Sequence, residues 1–410
     1  MSTLKKNISG LIIVQLISYV IPLLQIPYLT RTLGIELFGI YAYSLALIQV
    51  ANLVVDFGFN LYFPQLVASG RNSPKQLGVL VYSSVLIKLI LLVIVFLLYI
   101  ILVVTNDTYE AYTHFFLISF LSVIGNCFNF LWLYQGLEKL YIYSRVMIFS
   151  KLTTLLLIYV FIKGKEDFNI LATINSIQQI VVMLFALLFV FCYLKVKLVT
   201  IRIRGLKIIL FKSFEFFFSR AFVAIYTSGC ALLIGNFGSA AQMAIYSCAE
   251  QLYKAAQQVF SPVNQAIYPY MMRTHNYKVF FKFLYGSLAV CFIGCSIGWV
   301  WGEQIITLLF GGDFIGARFV LDILLLALLF NTSAVLLGYP ALAPLGLSKI
   351  ANASVIYAGI LQVILFILII NLPLNNMHIY IAWSVVASEL TVMIIRLIAV
   401  KGKRKNVDFK

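Results

Sequence analysis

Between Ser247 and Gln265, polar side chains recur at three- and four-residue steps: Ser247, Glu250, Gln251, Lys254, Gln257, Gln258, Ser261, Asn264 and Gln265. On a helix that spacing sets them all on one face. A second stretch repeats the pattern with Ser44, Gln49, Asn52, Asp56 and Asn60. Both lie inside runs of apolar residues, and neither face can be turned to hydrocarbon. One ionised group at the bilayer centre costs about 2.5–3.5 kcal/mol on insertion scales. Each face therefore lines water, a substrate or another polar helix face, and packing between neighbouring helices is the plainer of these roles. Lys254 sits in the middle of the longer stripe with Glu250 four residues before it, the favourable order for a helical ion pair. Four more cations fall within apolar runs, Lys88, Lys151, Arg220 and Arg396, together with the acids Asp56, Asp322 and Glu389. Arg396 is close enough to the end of its run to be expected to snorkel to the interface, and Arg220, about two turns in, has the same option.

The elements that must carry these residues are membrane helices. The 410 residues are 62% hydrophobic and only 11% charged, with a mean hydropathy of +1.01. Roughly a quarter of the residues in a soluble domain are charged, so most of this surface has to face lipid. Apolar runs long enough to cross a core of about 30 Å recur about twelve times, from Ile8–Leu29 to Ile379–Val400, separated by short polar breaks. Their length selects helices over barrel strands. The first run is too long for the apolar region of a cleavable signal.

The net charge of +16 invites a nucleic-acid reading, which the placement of the cations excludes. With twelve spans and a cytoplasmic N-terminus, 21 loop and tail cations fall inside, and four (Arg31, Lys163, Lys165 and Arg318) fall outside. This is a strong positive-inside bias, with both termini cytoplasmic and the lipid bilayer as the partner of the basic surface. The basic segment Lys195–Lys212 reads either as an interfacial linker on the anionic leaflet or as a stop signal between two halves. The boundary between those halves is placed at 205/206. A shift of 205 residues lays Tyr41 on Tyr246, Pro64 on Pro269, Asn52 on Gln257 and Asp56 on Ser261, which suggests a duplicated six-helix unit in parallel orientation.

The sequence holds no P-loop and no H-E-x-x-H. Gly311-Gly312-Asp313-Phe314-Ile315-Gly316 follows no strand and reads as a turn. Cys291 and Cys295 share a helix face, but with three histidines in the whole chain, all distant, they read as small packing residues and no metal is expected. The Asn-x-Ser/Thr matches at Asn7, Asn106, Asn331 and Asn352 fall near or within spans and read as chance.

Pro27-Tyr28-Leu29-Thr30-Arg31-Thr32-Leu33-Gly34, then Glu36, Phe38-Gly39, Tyr41 and Asp56-Phe57-Gly58-Phe59-Asn60, resemble the N-terminal signature of the polysaccharide transporters. These include the bacterial O-antigen flippases of the multidrug/oligosaccharidyl-lipid/polysaccharide exporter superfamily. The later run Phe310-Gly311-Gly312-Asp313-Phe314, with Ala317, resembles a further element of that family. The resemblance implies an all-α polytopic membrane protein with two six-helix bundles meeting in a V around a central cavity. It also implies alternating access and a cargo of undecaprenyl-pyrophosphate-linked oligosaccharide, moved from the cytoplasmic to the periplasmic leaflet of the inner membrane. It points to polymerase and chain-length components of the same pathway as partners, and to no enzymatic activity.

A diphosphate needs cations that hold it weakly enough to let it go, and lysine suits that better than a bidentate arginine. The candidate substrate-facing residues are accordingly Lys254, Glu250, Arg220, Lys88, Lys151, Asp56, Asn52, Gln257 and Arg31. No cofactor is expected, and the intramembrane carboxylates permit proton or sodium coupling. The alternatives are a cation-coupled multidrug exporter of the same fold and a membrane glycan polymerase. The polymerase would be expected to carry a large periplasmic loop, which is absent here.

Overall fold

The structure, a computed structural model of the chain, describes residues 2–70, 74–196, 199, 203–372 and 375–407. Arg71, and Ile201 and Arg202 of the basic linker, lie outside the described residues. Among the described residues there is no strand. The helices are α1 (Ser2–Asp56), α2 (Phe59–Gly70), α3 (Pro74–Val104), α4 (Asp107–Glu110), α5 (Thr113–Cys127) and α6 (Leu131–Gly136). They continue with α7 (Leu140–Phe161), α8 (Phe168–Leu188), α9 (Ile203–Thr227), α10 (Gly229–Phe237), α11 (Ala240–Val259) and α12 (Ser261–Thr274). The chain ends with α13 (Tyr277–Phe310), α14 (Ala317–Leu337), α15 (Tyr339–Leu342), α16 (Ser348–Asn371) and α17 (Met377–Val407).

Nine of the described segments are long and apolar enough to span a membrane, or ten with the bent pair α9–α10. The twelve expected from the sequence are reached once two cases are resolved. α1 runs through two spans, divided at Gly34, whose φ of 75° favours a residue without a side chain. α11 and α12 together cover the length of a span but fall short of the apolarity, because they carry the polar stripe. Lipid-facing surfaces show plainly on the remaining helices: on α3, Ile90, Val93, Leu97 and Ile101 are all more than half exposed.

Contacts divide the chain into two compact units: residues 1–37 with 43–224, and residues 38–42 with 225–410. From the second span onward the same order of elements runs twice. α2, α3, α5, α6, α7 and α8 are followed at a distance by α12, α13, α14, α15, α16 and α17. Corresponding starts lie between 202 residues (Phe59 to Ser261) and 209 residues apart (Phe168 to Met377). The short helix α4, starting at 107, is matched by a single 3₁₀ turn starting at 312. Packing repeats as well: α5 lies on α8 as α14 lies on α17, and α2 on α6 as α12 on α15. The duplication indicated by a handful of residue pairs is thus present element by element.

Within each unit, helices that stop inside the span need donors or acceptors for the backbone groups they leave open. In the first unit α1 stops at Asp56, and Phe57 (φ 46°) and Gly58 (φ 78°) turn the chain into α2. A Cβ on Gly58 would lie 2.7 Å from both the Phe217 amide nitrogen and the Ser213 carbonyl oxygen, so only glycine lets α9 approach this turn. In the second unit α14 stops before Gly338, and Arg396 serves its open end. The arginine is buried, and it donates to the carbonyl oxygens of Ala334 (2.6 Å) and Ala351 (3.1 Å) and to Ser354 Oγ (2.9 Å). It does not snorkel as expected, because those acceptors lie inside the bundle. A second buried network ties α10, α16 and α17: Gln362 Nε2 donates to Cys230 Sγ at 3.5 Å and to Ser384 Oγ at 2.7 Å, and Ser388 Oγ donates to Gln362 Oε1 at 2.5 Å.

Candidate functional site

In the second unit the polar stripe is carried by two helices. Ser239 caps α11, its side chain accepting from the Gln242 amide, and α11 packs Met243, Ala244, Tyr246 and Ala249 into the unit. Its other face presents Glu250, Lys254, Gln257 and Gln258. At Phe260 the helix breaks, with Pro262 in the first turn of α12, and the stripe continues through Ser261 and Asn264. Proline is tolerated there because an amide of the first turn has no helical partner to lose. A helix broken inside the span leaves backbone dipole ends available to a bound group, as discontinuous helices in transporters do.

Lys254 Nζ lies 2.7 Å from Glu250 Oε2; the lysine side chain is 43% exposed and the glutamate 15%. Both line a small cavity of about 60 Å³, with Tyr253, Gln257 and Glu389. Tyr253 Oη and Asn331 Nδ2 both donate to Glu389 Oε1, at 3.3 and 2.9 Å. Asn331 also lines a larger cavity of about 270 Å³, walled by Gln257, Gln258, Phe260, Ser261 and Asn264. Gln257 belongs to both walls, so a charged compartment and an uncharged amide compartment adjoin.

The first unit holds a different arrangement. Lys88, 3% exposed on its side chain, donates to the Cys127 carbonyl at 2.8 Å, where α5 ends, and lies 3.9 Å from Asp56 Oδ1. Asn60 Nδ2 donates to the same carboxylate oxygen at 2.6 Å, and Arg220 Nη1 reaches Asp56 Oδ2 at 3.3 Å with its side chain 45% exposed. Here the acid and the buried cation satisfy each other and two helix ends.

The structure therefore brings Glu250, Lys254 and Gln257 together in one unit, and Asp56, Lys88 and Arg220 in the other. Asn52 lies half-buried one turn before Asp56. Lys151, half-buried on α7, and Arg31, exposed just before Gly34, are in neither of these ion-paired groups. Tyr253 and Asn331 were not among the expected site residues. The polar triplet Asn331-Thr332-Ser333 inside an apolar run was the available signal for Asn331.

Comparison with known proteins places the chain. Residues 4–275 match the family model described as polysaccharide biosynthesis protein. The chain belongs to the polysaccharide biosynthesis protein family. Within its reach is a protein of Escherichia coli (strain K12) named "Putative O-antigen transporter", 27% identical over 272 residues, which are 66% of this chain and 66% of that protein. A protein of the same name from Shigella dysenteriae is 26% identical over 409 residues, covering 97% of this chain and all of its own length. Among solved structures, the lipid II flippase MurJ in its inward closed conformation superposes with a TM-score of 0.75 at 16% identity, over 95% of this chain and 87% of its own. An inward-facing multidrug resistance transporter of the MATE family, MOP superfamily, reaches 0.69 at 12% identity, over 95% and 94%. At such identities the likeness is one of fold: this family member is an all-α, multi-pass membrane protein sharing the MurJ and MATE fold.

Proposed function

We propose that the protein is a flippase that carries an undecaprenyl-diphosphate-linked oligosaccharide, an O-antigen-type repeat unit, from the cytoplasmic to the periplasmic leaflet by alternating access. The observation that carries this reading is Lys254: a cation in the middle of a span, nearly half exposed, beside a cavity walled with amides. A diphosphate entering the bilayer core needs an opposing charge, and a lysine on a flexible stem supplies one without the fork that would hold it too firmly. Glu250 keeps the lysine placed when no phosphate is present. The test is deletion of the gene in its host. Surface polysaccharide should disappear while lipid-linked repeat units, still synthesised, accumulate; unchanged surface polysaccharide would sink the reading.

One observation favours a second reading. Around the small cavity stand two carboxylates, Glu250 and Glu389, against the single lysine. An acidic surplus suits cation-coupled export of the multidrug type, and under the first reading it offers a place for a coupling proton or sodium ion. Altered susceptibility to cationic drugs after deletion, with surface polysaccharide intact, would select the exporter.

The same proposal sets the protein in the inner membrane with both termini cytoplasmic. Lys139 Nζ contacts Tyr193 Oη at 3.3 Å, which puts the α6–α7 turn and the segment that follows α8 at one end of the first unit. Cysteines replacing Lys139 and Lys278 should be shielded from a membrane-impermeant maleimide added outside the inner membrane, while those replacing Asp107 and Glu166 should react. Labelling at position 139 from the periplasm would invert the map.

A further inference from the structure

The uncharged cavity beside Lys254 in the second unit has a chemistry of its own. It measures about 270 Å³, at the lower edge of the roughly 300–1,000 Å³ of small-molecule sites and commensurate with a single sugar ring rather than a repeat unit. Its polar walls hold no ionisable group: Gln257, Gln258, Asn264 and Asn331 are amides, and Ser261 and Thr332 hydroxyls, with Phe260 at the helix break. Each amide offers both donors and acceptors, matching hydroxyl groups that are themselves both. Asn264 Oδ1 is buried with no hydrogen-bond partner among the described residues, an acceptor that a ligand hydroxyl would satisfy.

The duplicated fold allows the lining of this space to be compared with the equivalent region of the first unit. At the 205-residue shift Ser261 corresponds to Asp56, Asn264 to Phe59 and Thr332 to Cys127. Cys291 Sγ lies 3.4 Å from Thr332 Oγ1, as Lys88 Nζ lies 2.8 Å from the Cys127 carbonyl. In the first unit the equivalent region is filled: Phe59 is fully buried, and Lys88, itself buried, lies 5.9 Å from its ring centroid. In the second unit the phenylalanine is replaced by an asparagine and the aspartate by a serine, and the lysine, at the 203-residue offset between the starts of α3 and α13, by a cysteine. The same position in the repeat holds a charged pair in the first unit and an uncharged polar cavity in the second.

We infer that this amide pocket is a carbohydrate subsite, and that it takes the uncharged sugar nearest the diphosphate, because Gln257 joins its wall to that of the Lys254 cavity. The assignment rests on reading the cargo as a lipid-linked glycan, and the two stand or fall separately in one experiment. The full-length protein, purified in detergent, is titrated with farnesyl diphosphate and with farnesyl diphosphate bearing one galactose or one N-acetylglucosamine. In the unaltered protein at least one of the sugars should raise affinity about tenfold over the plain diphosphate. In Asn264→Leu and Gln258→Leu that gain should fall below about threefold, with binding of the plain diphosphate unchanged. Leucine at half-buried Asn264, whose buried Oδ1 accepts no hydrogen bond among the described residues, leaves no donor stranded there, so that variant should fold, and unchanged plain-diphosphate binding reports that it has. Equal affinity for plain and sugar-bearing probes in the unaltered protein overturns the pocket, as does a gain that survives both substitutions. Plain-diphosphate binding that is indifferent to Lys254→Ala removes the lysine from the proposed function and leaves the sugar gain to decide the pocket. Binding of no probe overturns both.

Discussion

Lys254→Ala is expected to abolish surface glycan while leaving the amount of membrane-inserted protein unchanged. Two unit charges about 4 Å apart at an effective dielectric near 20 interact by about 4 kcal/mol, or about a thousandfold in a rate. Losing that interaction with the diphosphate at mid-span is enough to stop export. Stability is a separate matter, because Lys254 is 43% exposed and has its ion-pair partner on the same helix. Helical pairs of this kind contribute only about 0.3–0.5 kcal/mol. Lys254→Arg should keep part of the activity, since the charge remains but binds phosphate in bidentate fashion and releases it slowly. Glu250→Gln separates the two carboxylate roles: an acid that merely parks the lysine can be lost with modest effect. Complementation of a deletion strain, with immunoblots for glycan and for protein, reads all three variants. Normal surface glycan from Lys254→Ala would take the lysine out of the mechanism.

The stripe that led to Lys254 was legible because a helix writes its faces into the sequence every three to four residues, and a polar face inside an apolar run has few explanations. The number of spans was legible for a related reason: backbone groups in lipid leave only one structure for runs of this length. What did not show was where helices stop within a span. Asp56-Phe57-Gly58 and the Phe260-Ser261-Pro262 step interrupt helices without interrupting the three- and four-residue spacing of the polar stripes, and the first of these turns is settled by a neighbour, α9 against Gly58. Partners of buried cations were equally hidden. Arg396 lies near the end of its run, so snorkelling was the economical expectation, yet its acceptors are carbonyls 45 and 62 residues away in the chain. Lys88 carried no sign that its partners would be Asp56 and the Cys127 carbonyl. In both cases an open helix end sets the need for a cation, and open ends are tertiary facts.

That distinction yields the second large effect. Lys88→Met should lower the apparent melting temperature and the yield of the protein sharply, in contrast to Lys254→Ala. Lys88 is 3% exposed and Asp56 12%, and removing one member of such a pair leaves a buried charge uncompensated, at a cost of about 3–5 kcal/mol. Arg220 at 3.3 Å offsets part of this, but its side chain is 45% exposed and it leaves the Cys127 carbonyl without its donor. Asp56→Asn in the Lys88→Met background should recover much of the loss, because the charge is then gone and Asn60 can still bond the amide. Arg220→Ala should cost little by itself, as exposed pairs do. Thermal unfolding of the purified variants, run beside the complementation assay, decides between a structural lysine and one that meets the cargo. A structural role requires that export by Lys88→Met fall only as far as the amount of folded protein falls, and that the double variant restore both together. A folded, stable Lys88→Met protein that exports nothing would instead assign Lys88 to the transport path alongside Lys254.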